Sequence, residues 1–511
     1  MAIKQINVFI RKINYYLLIY VKIYIEYYGR GVKDLGDIFH LSNSMEKDLT
    51  KKYELAWDKY SKEDLTNVFD LSEKYKDFMS KCKTERECVK EFIVLAEKSG
   101  YKNLEEIIKN NEKLEPGDKV YANNMDKTLA LFVVGKEPME KGLKILGAHV
   151  DSPRLDLKQN PLYEDTDLAL FETHYYGGIK KYQWVTLPLA IHGVIVKKDG
   201  TKINVAVGEE ESDPVFGVSD LLIHLSGEQM EKKASKVVEG ENLNVLIGSM
   251  PIEDKEAKDR VRRNILKLLN EKYEIEEEDF VSAELEVVPA GKARDYGFDR
   301  SMVMAYGQDD RICSYTSFEA MMKMDKVDKT CVTLLVDKEE IGSVGATGMQ
   351  SKFFENTVAE IINLTSDNYS DLKLRRCLTN SKMLSSDVSA AFDPNYPSVM
   401  EKKNSAYFGK GIVFNKYTGA RGKGGSNDAN PEYIAEIRAM MEKHNVSWQT
   451  AELGKVDQGG GGTIAYILAQ YAMEVIDCGV ALHNMHAPWE IASKADIYEA
   501  MRGYHAFLLE A

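Results

Sequence analysis

Three short, largely apolar runs constrain the fold more than any other feature of the sequence. They span residues 129–134, 143–146 and 332–336, and stretches with the spacing of helices lie between them. An unbroken apolar run of about four to eight residues is typical of a strand that is buried on both faces, as in parallel sheets covered by helices. The pattern therefore predicts an α/β domain with a central, mostly parallel sheet flanked by helices.

The sequence changes character between residues 161 and 297. Short strands with alternating apolar residues, such as 190–196, occur there together with one charged helix near 257–270. A chain of 511 residues, 44% of them hydrophobic, is long enough to bury a second core. We interpret 161–297 as a β-rich domain inserted into a larger domain made of 45–160 and 298–511.

The first 44 residues differ from the rest of the chain. The segment 13–28 is rich in Ile and Tyr, but Lys22 and Glu26 interrupt it, so it is too short and too charged for a membrane span. It also lacks the unbroken apolar region and cleavage site of a signal peptide. Two interpretations are open: an amphipathic surface segment or propeptide, or an extension upstream of a true start at Met45. We favour the second.

Charge and cysteine content argue against several kinds of partner. The 81 acidic and 67 basic residues give a net charge of −14, which repels nucleic-acid phosphates and anionic membranes. The six cysteines are scattered and form no CxxC pair, a pattern that fits buried thiols in a reducing compartment. We therefore expect a cytoplasmic protein without a nucleic-acid or membrane partner.

Polar clusters follow the apolar runs or begin the helices after them, where open α/β sheets place their sites. The clustered residues are His149, Asp151, Asp309, Glu339, Glu340, Asp387 and His486. Taken singly, each cluster has a structural explanation, such as a strand-end histidine or a carboxylate that caps a helix. Together they offer imidazole and carboxylate ligands for two divalent metal ions, with one carboxylate left to act as a general base.

The clusters lie within an ordered series of motifs: GAHVDSPRLDLK, YYGG with PLAIHG after it, GQDDR, DKEEIGS, SSDVSAAFDPNYP and NMHAPWE. With these motifs the chain resembles, from about Met45 to its C-terminus, the aspartyl aminopeptidase and vacuolar aminopeptidase I family of dinuclear zinc exopeptidases. The resemblance implies two zinc ions per subunit, with manganese or cobalt able to substitute. One ion would be held by His149, Asp309 and Asp387. The other would be held by Asp309, Glu340 and His486.

Further roles follow from the same resemblance. Glu339 would take a proton from the attacking water, and Asp151 would orient His149. His192, in the PLAIHG motif, would reach into the site of a neighbouring subunit and stabilise the oxyanion. Without the resemblance, we would interpret His192 as a partly buried strand histidine. The inserted domain would build a dimer, and six dimers would form a tetrahedral dodecamer.

We therefore expect a zinc aminopeptidase that releases acidic, or neutral and hydrophobic, residues from peptides with a free N-terminus. Two alternatives are a related two-metal dipeptidase or deacylase and a non-catalytic, self-assembling shell protein. The spare Glu339 argues against the shell protein. The run Gly459–Gly462 lacks the Gly-Lys-Ser/Thr of a P-loop and is interpreted as a loop against the substrate. Arg421 and Lys423 would either face an acidic substrate side chain or be solvated.

Overall fold

The structure, a computed structural model, describes residues 54–419 and 421–511. The predicted extension 1–44 and the start at Met45 lie outside these residues. The α-helices are α1 (Ala56–Lys59), α2 (Lys62–Lys81), α3 (Glu85–Lys98), α4 (Leu104–Lys109), α5 (Gly227–Met230), α6 (Arg260–Tyr273), α7 (Gln308–Met322), α8 (Phe353–Thr365), α9 (Asp371–Thr379), α10 (Pro431–Lys443), α11 (Ala465–Ala469) and α12 (Lys494–Glu510). The strands are β1 (Lys102–Asn103), β2 (Lys119–Asn124), β3 (Thr128–Val133), β4 (Lys144–His149), β5 (Arg154–Asp165), β6 (Leu168–Tyr176), β7 (Leu189–Val196), β8 (Lys202–Val207), β9 (Val245–Gly248), β10 (Ala283–Pro289), β11 (Arg294–Tyr296), β12 (Met302–Ala305), β13 (Cys331–Val336), β14 (Lys382–Ser386), β15 (Ser389–Ala390), β16 (Ile412–Asn415), β17 (Trp448–Thr450), β18 (Glu474–Gly479), β19 (Ala481–His483) and β20 (Glu490–Ser493).

A nine-stranded sheet forms the centre of the larger domain, in the order β1-β2-β3-β13-β4-β14-β18-β16-β17. The three predicted apolar strands are β3, β4 and β13. Strands β13, β4, β14 and β18 pair in parallel. Antiparallel pairs, β2 with β3, β3 with β13 and β16 with β18, flank this centre. The prediction of an α/β sheet is confirmed, and the sheet as a whole is mixed rather than uniformly parallel.

Strand β3 shows why its residues are apolar without interruption. Leu129 and Leu131 pack into one core, which also contains residues of α2, α3, α7, α10 and α12. Ala130 and Phe132 pack into a second core on the other face, with residues of α4, α8, α9 and α11. Since successive side chains of a strand point to opposite faces, a sheet covered by helices on both sides needs apolar residues at every position.

A six-stranded antiparallel sheet forms a second layer, in the order β8-β7-β10-β5-β6-β9. It has its own apolar core, and α6 packs on β5, β6 and β9. The sheet spans 154–289, whereas the insert was predicted at 161–297. Residue 161 lies inside β5, because this strand runs without a break from the site loop into the sheet. At the other end, β11 belongs to a third sheet.

The third sheet has the order β11-β12-β20-β19-β15. The turn between β19 and β20 carries the NMHAPW residues of the last motif. No helix within the described ranges is both long and apolar enough to cross a membrane.

Candidate active site

The predicted ligands and Glu339 meet at one edge of the central sheet. His149 ends β4, Asp387 follows β14, and the glutamates begin a short turn after β13; the first residues of α7 and the turn after β19 supply the remaining two ligands, Asp309 and His486. Because the carboxyl ends of parallel strands lie at the same edge, residues that are distant in the sequence become neighbours there.

Asp309 lies between the two ligand histidines. Its Oδ1 is 3.3 Å from His149 Nε2, which is 3.9 Å from Asp387 Oδ1. Its Oδ2 is 3.2 Å from His486 Nε2, which is 3.6 Å from Glu340 Oε1. The two oxygens of one carboxylate thus face two separate sets of ligand atoms, which is the arrangement that a bridging ligand requires.

The donor atoms fit zinc. His149 Nε2 and Glu340 Oε1 are buried without a hydrogen-bond partner in the described part of the chain. Such burial is costly unless a cation compensates it. Two groups of ligand atoms lie within 4.8 Å of one another: His149 with Asp309 and Glu340, and His149 with Glu339 and Asp387. Nitrogen and oxygen donors of this kind bind zinc, although distance alone does not separate Glu339 from the ligands.

Electrostatics point in the same direction. Burial raises the pKa of Glu339 to about 7, although the charge of His149 opposes this effect. Burial also raises the pKa values of Glu340 and Asp387. Burial disfavours the charged form of His486, but the hydrogen bond to Asp309, the charges of Asp309 and Glu340 and the Gly178 carbonyl together outweigh burial and raise the pKa of this histidine to about 10. Several buried carboxylates lie close together here and need positive charge in order to stay ionised. A divalent cation would supply that charge.

A third acidic group, formed by Glu85, Glu284 and Glu286, is different. Lys127 Nζ is 3.5 Å from Glu85 Oε1 and also contacts Glu284 Oε1. Arg154 Nε is 3.2 Å from Glu286 Oε2. Side-chain cations already neutralise these carboxylates, so we assign no metal to them.

Asp151 holds both a ligand and the turn of the glutamates. It is fully buried, and its Oδ1 lies 3.2 Å from His149 Nδ1 and accepts the backbone N–H of Glu339 at 3.1 Å. Its Oδ2 accepts the hydroxyl of Tyr176 at 2.9 Å and the backbone N–H of Glu340 at 3.2 Å. His149 Nδ1 also lies 3.0 Å from the backbone carbonyl oxygen of Asp151, so both the carbonyl and the carboxylate of Asp151 accept at Nδ1 and leave Nε2 free to bind a metal.

Glu490, the last residue of the NMHAPWE motif, is a further residue that supports the site. This residue is 1% exposed; its Oε2 accepts the backbone N–H of Asp309 at 3.1 Å, and its Oε1 accepts that of His486 at 2.8 Å. Glu490 therefore positions the backbones of Asp309, the predicted bridging ligand, and of His486, a predicted ligand. The feature of the sequence that could have pointed to this residue is a glutamate at the start of the otherwise apolar segment 490–492.

His192 is not brought to the ligand cluster within this chain. It lies on β7, and its side chain is 3% exposed. Its Nδ1 is 2.9 Å from Glu87 Oε1, and its Nε2 is 3.2 Å from Glu209 Oε1. Both ring nitrogens thus have carboxylate partners in the same chain, which favours the interpretation as a strand histidine. The role in a neighbouring subunit stays a prediction.

A cavity of about 520 Å³ opens beside the ligands. Its lining includes Gly460–Gly462, Leu453, Tyr466, Met485 and the buried Asp477, so the glycine run lies where a substrate would bind. Among the described residues that line the cavity, none is a lysine or an arginine. Lys423 instead pairs with Asp428 at 2.9 Å, and Arg421 lines a small adjacent cleft.

An α/β sandwich that gathers such ligands at its sheet edge is suited to metal-dependent hydrolysis. Comparison with known families makes the assignment specific. The model of the Aminopeptidase I zinc metalloprotease (M18) family matches residues 78–508. The chain belongs to this family of zinc metalloaminopeptidases, which confirms the resemblance seen in the motifs and the expected enzyme class.

Individual relatives agree with this assignment. The chain is 74% identical over 464 residues to a Clostridium acetobutylicum protein described as "Probable M18 family aminopeptidase 1"; the match covers 91% of this chain and 100% of the relative. The crystal structure of aminopeptidase I from Clostridium acetobutylicum matches with a TM-score of 0.84 at 72% identity, over 90% of this chain and 100% of that one. At 22% identity, the structure of the S. cerevisiae mApe1 dodecamer shares the fold, with a TM-score of 0.70 over 86% of this chain and 97% of that one.

Proposed function

We propose that this aminopeptidase uses two zinc ions per chain to release the first residue of peptides with a free N-terminus. The observation that carries the proposal is the position of Asp309, whose two oxygens lie 3.3 and 3.2 Å from Nε2 of the two ligand histidines. His149, Asp309 and Asp387 would hold one ion, and Asp309, Glu340 and His486 the other. Bound zinc supplies a Lewis acid for the scissile carbonyl and lowers the pKa of water. Manganese or cobalt would substitute, because these ligand types suit them as well.

Glu339 is the general base in this proposal. Its Oε2 lies 3.8 Å from His149 Nε2, at the centre of the ligand cluster, and its backbone N–H is held by Asp151. Its carboxylate takes a proton from the attacking water and returns it to the leaving amine.

The cavity favours neutral and apolar N-terminal residues over acidic ones. Leu453, Tyr466 and Met485 give its wall apolar surface, and no lysine or arginine occurs among its described lining residues. An acidic side chain would meet the carboxyl group of Asp477 without a cation to compensate it.

We further propose that the inserted domain joins copies of this chain. Leu222, Ile223 and Leu225 form an apolar segment with exposed fractions of 54%, 69% and 67%. Grouped exposed apolar residues mark interaction surfaces. The yeast structure is described as a dodecamer. For this chain we propose the assembly that the motif resemblance implies, in which dimers join into a tetrahedral dodecamer, and the cross-subunit role of His192 depends on it.

All six cysteines are free and buried. Free thiols are typical of a reducing compartment, which supports the cytoplasm as the location of the protein.

The test is hydrolysis of aminoacyl p-nitroanilides, free peptides and N-acetylated peptides before and after chelation and readdition of zinc, manganese or cobalt. We expect release of neutral residues from free N-termini, loss of activity on chelation and recovery with metal. Cleavage limited to dipeptides or to acylated substrates would support the dipeptidase or deacylase. Full metal loading without any hydrolysis would support the shell protein.

A further inference from the structure

The end of β6 and the two glycines after it, residues 176–178, run along both halves of the ligand cluster. We call these residues the YGG segment. The hydroxyl of Tyr176 donates to Asp151 Oδ2 at 2.9 Å. The carbonyl of Gly178 lies 2.9 Å from His486 Nδ1 and can only accept, so Nδ1 carries the proton and Nε2 is left for a metal. The end of this strand thus contacts Asp151, which lies behind the predicted ligand His149, and the glycine after it contacts His486, a predicted ligand of the other metal ion.

Space along the YGG segment is limited. A Cβ added at Gly177 would lie 3.2 Å from Glu340 Oε2, and a Cβ added at Gly178 would lie 3.2 Å from His486 Nδ1. Both distances are shorter than comfortable van der Waals contact, so the backbone passes directly over these ligands.

Arg154 packs against the ring of Tyr176 and fixes its position. The guanidinium carbon of Arg154 lies 3.8 Å from the ring centroid, a cation–π contact. Arg154 is itself held by Asp156 Oδ1 at 2.8 Å and by Glu286 Oε2 at 3.2 Å. These residues belong to strands β5 and β10 of the six-stranded sheet, so the sheet as a unit determines where the phenol hydroxyl points.

Asp151 depends on this hydroxyl. Its Oδ2 has two donors, the Tyr176 hydroxyl and the backbone N–H of Glu340. Removal of the hydroxyl leaves a buried carboxylate oxygen with a single donor, and the carboxylate is free to shift toward the other one. A shift of the carboxylate changes its 3.2 Å contact with His149 Nδ1, which is otherwise held by the Asp151 carbonyl oxygen at 3.0 Å, and it moves the acceptor of the Glu339 backbone N–H.

We propose that Tyr176 is a positioning residue through which the inserted domain sets the geometry of the active site. It holds Asp151, and Asp151 holds His149 and the Glu339–Glu340 turn. The proposal rests on the two-metal function proposed above, but it assigns to the insert a part in catalysis that is separate from assembly and that operates within one chain.

The test is Tyr176→Phe, which removes the hydroxyl and keeps the ring under Arg154. The matched control is Tyr175→Phe, the preceding residue on the opposite face of the strand, whose side chain is 40% exposed. We expect Tyr176→Phe to lower kcat about 10- to 100-fold with little change in KM, as for other residues behind metal ligands. Zinc affinity, measured by competition with a chelator, should fall about 10-fold or more, and the visible absorption spectrum of the cobalt-loaded protein should change. The control should match wild type.

The zinc affinity and the cobalt spectrum need no substrate. If wild type hydrolyses nothing, the proposed function fails, while these two measurements still decide the role of Tyr176. Apo-protein circular dichroism and melting temperature establish that the variant is folded. A second variant, Gly178→Ala, tests the same segment at His486 and should also weaken zinc binding. Wild-type kcat, zinc affinity and cobalt spectrum in Tyr176→Phe would overturn the proposal; if that variant does not fold, wild-type values in Gly178→Ala would overturn it.

Discussion

Replacing Glu490 with Gln should loosen the metal site although this residue is not a predicted ligand. The carboxylate of Glu490 accepts backbone N–H groups from Asp309 and His486 at 3.1 and 2.8 Å. Glutamine has nearly the same size but only one acceptor oxygen, and its NH₂ group cannot accept. One of the two N–H groups therefore loses its partner inside the protein.

The size of the effect follows from burial. Glu490 is 1% exposed, so water does not replace the lost acceptor. A buried donor without a partner costs about 1–3 kcal/mol, and we expect the variant to lose that amount of stability. Because the two N–H groups belong to the proposed bridging ligand and to a proposed ligand histidine, zinc affinity should also fall, by about 10- to 100-fold.

Scanning calorimetry of the zinc-free and zinc-loaded protein, together with chelator competition, measures both effects. Glu442→Gln, at an exposed position on α10, is the matched control and should leave stability within about 0.5 kcal/mol of wild type. If Glu490→Gln melts and binds zinc as wild type does, the carboxylate does not position these backbones and the reasoning is wrong.

Two further predictions concern proton transfer and pH. Glu339→Gln should retain two zinc ions by elemental analysis and lower kcat by about 10²-fold or more, because the amide cannot take a proton; turnover near wild type would remove Glu339 as the base. For His192, burial lowers the pKa, but hydrogen bonds to Glu209 and Glu87 outweigh it and raise the pKa from 6.5 to about 9. The folded state thus favours the protonated ring of His192. The contribution of this ring to the stability of the folded protein is fully present below about pH 6.5 and is lost as pH rises through about 9. The difference in melting temperature between wild type and His192→Asn should shrink over that window, and a difference that does not change with pH contradicts this assignment.

Much of the fold was readable from local pattern. The apolar runs at 129–134, 143–146 and 332–336 became β3, β4 and β13 because strands covered on both faces need apolar residues throughout. The sequence also carries a Thr-x-x-Glu pattern at 84–87, which is typical of a capping box, and in the structure the Thr84 side chain accepts the backbone N–H of Glu87 and the Glu87 side chain accepts that of Thr84 at the start of α3. The boundaries of the inserted domain could not be predicted from the sequence, since β5 continues without a break from the loop after His149 into the six-stranded sheet.

The sequence by itself determined the chemistry of this protein: which imidazoles and carboxylates follow the strands, and in which motifs. Tertiary structure alone decided what holds them. Glu490 and Asp309 are 181 residues apart in the chain, and Tyr176 reaches Asp151 from another sheet. His192, whose role in a neighbouring subunit stays a prediction, has both ring nitrogens close to carboxylates of its own chain. A motif records the identity of a side chain, but burial and the partners of its polar atoms are set by segments that meet only when the chain folds.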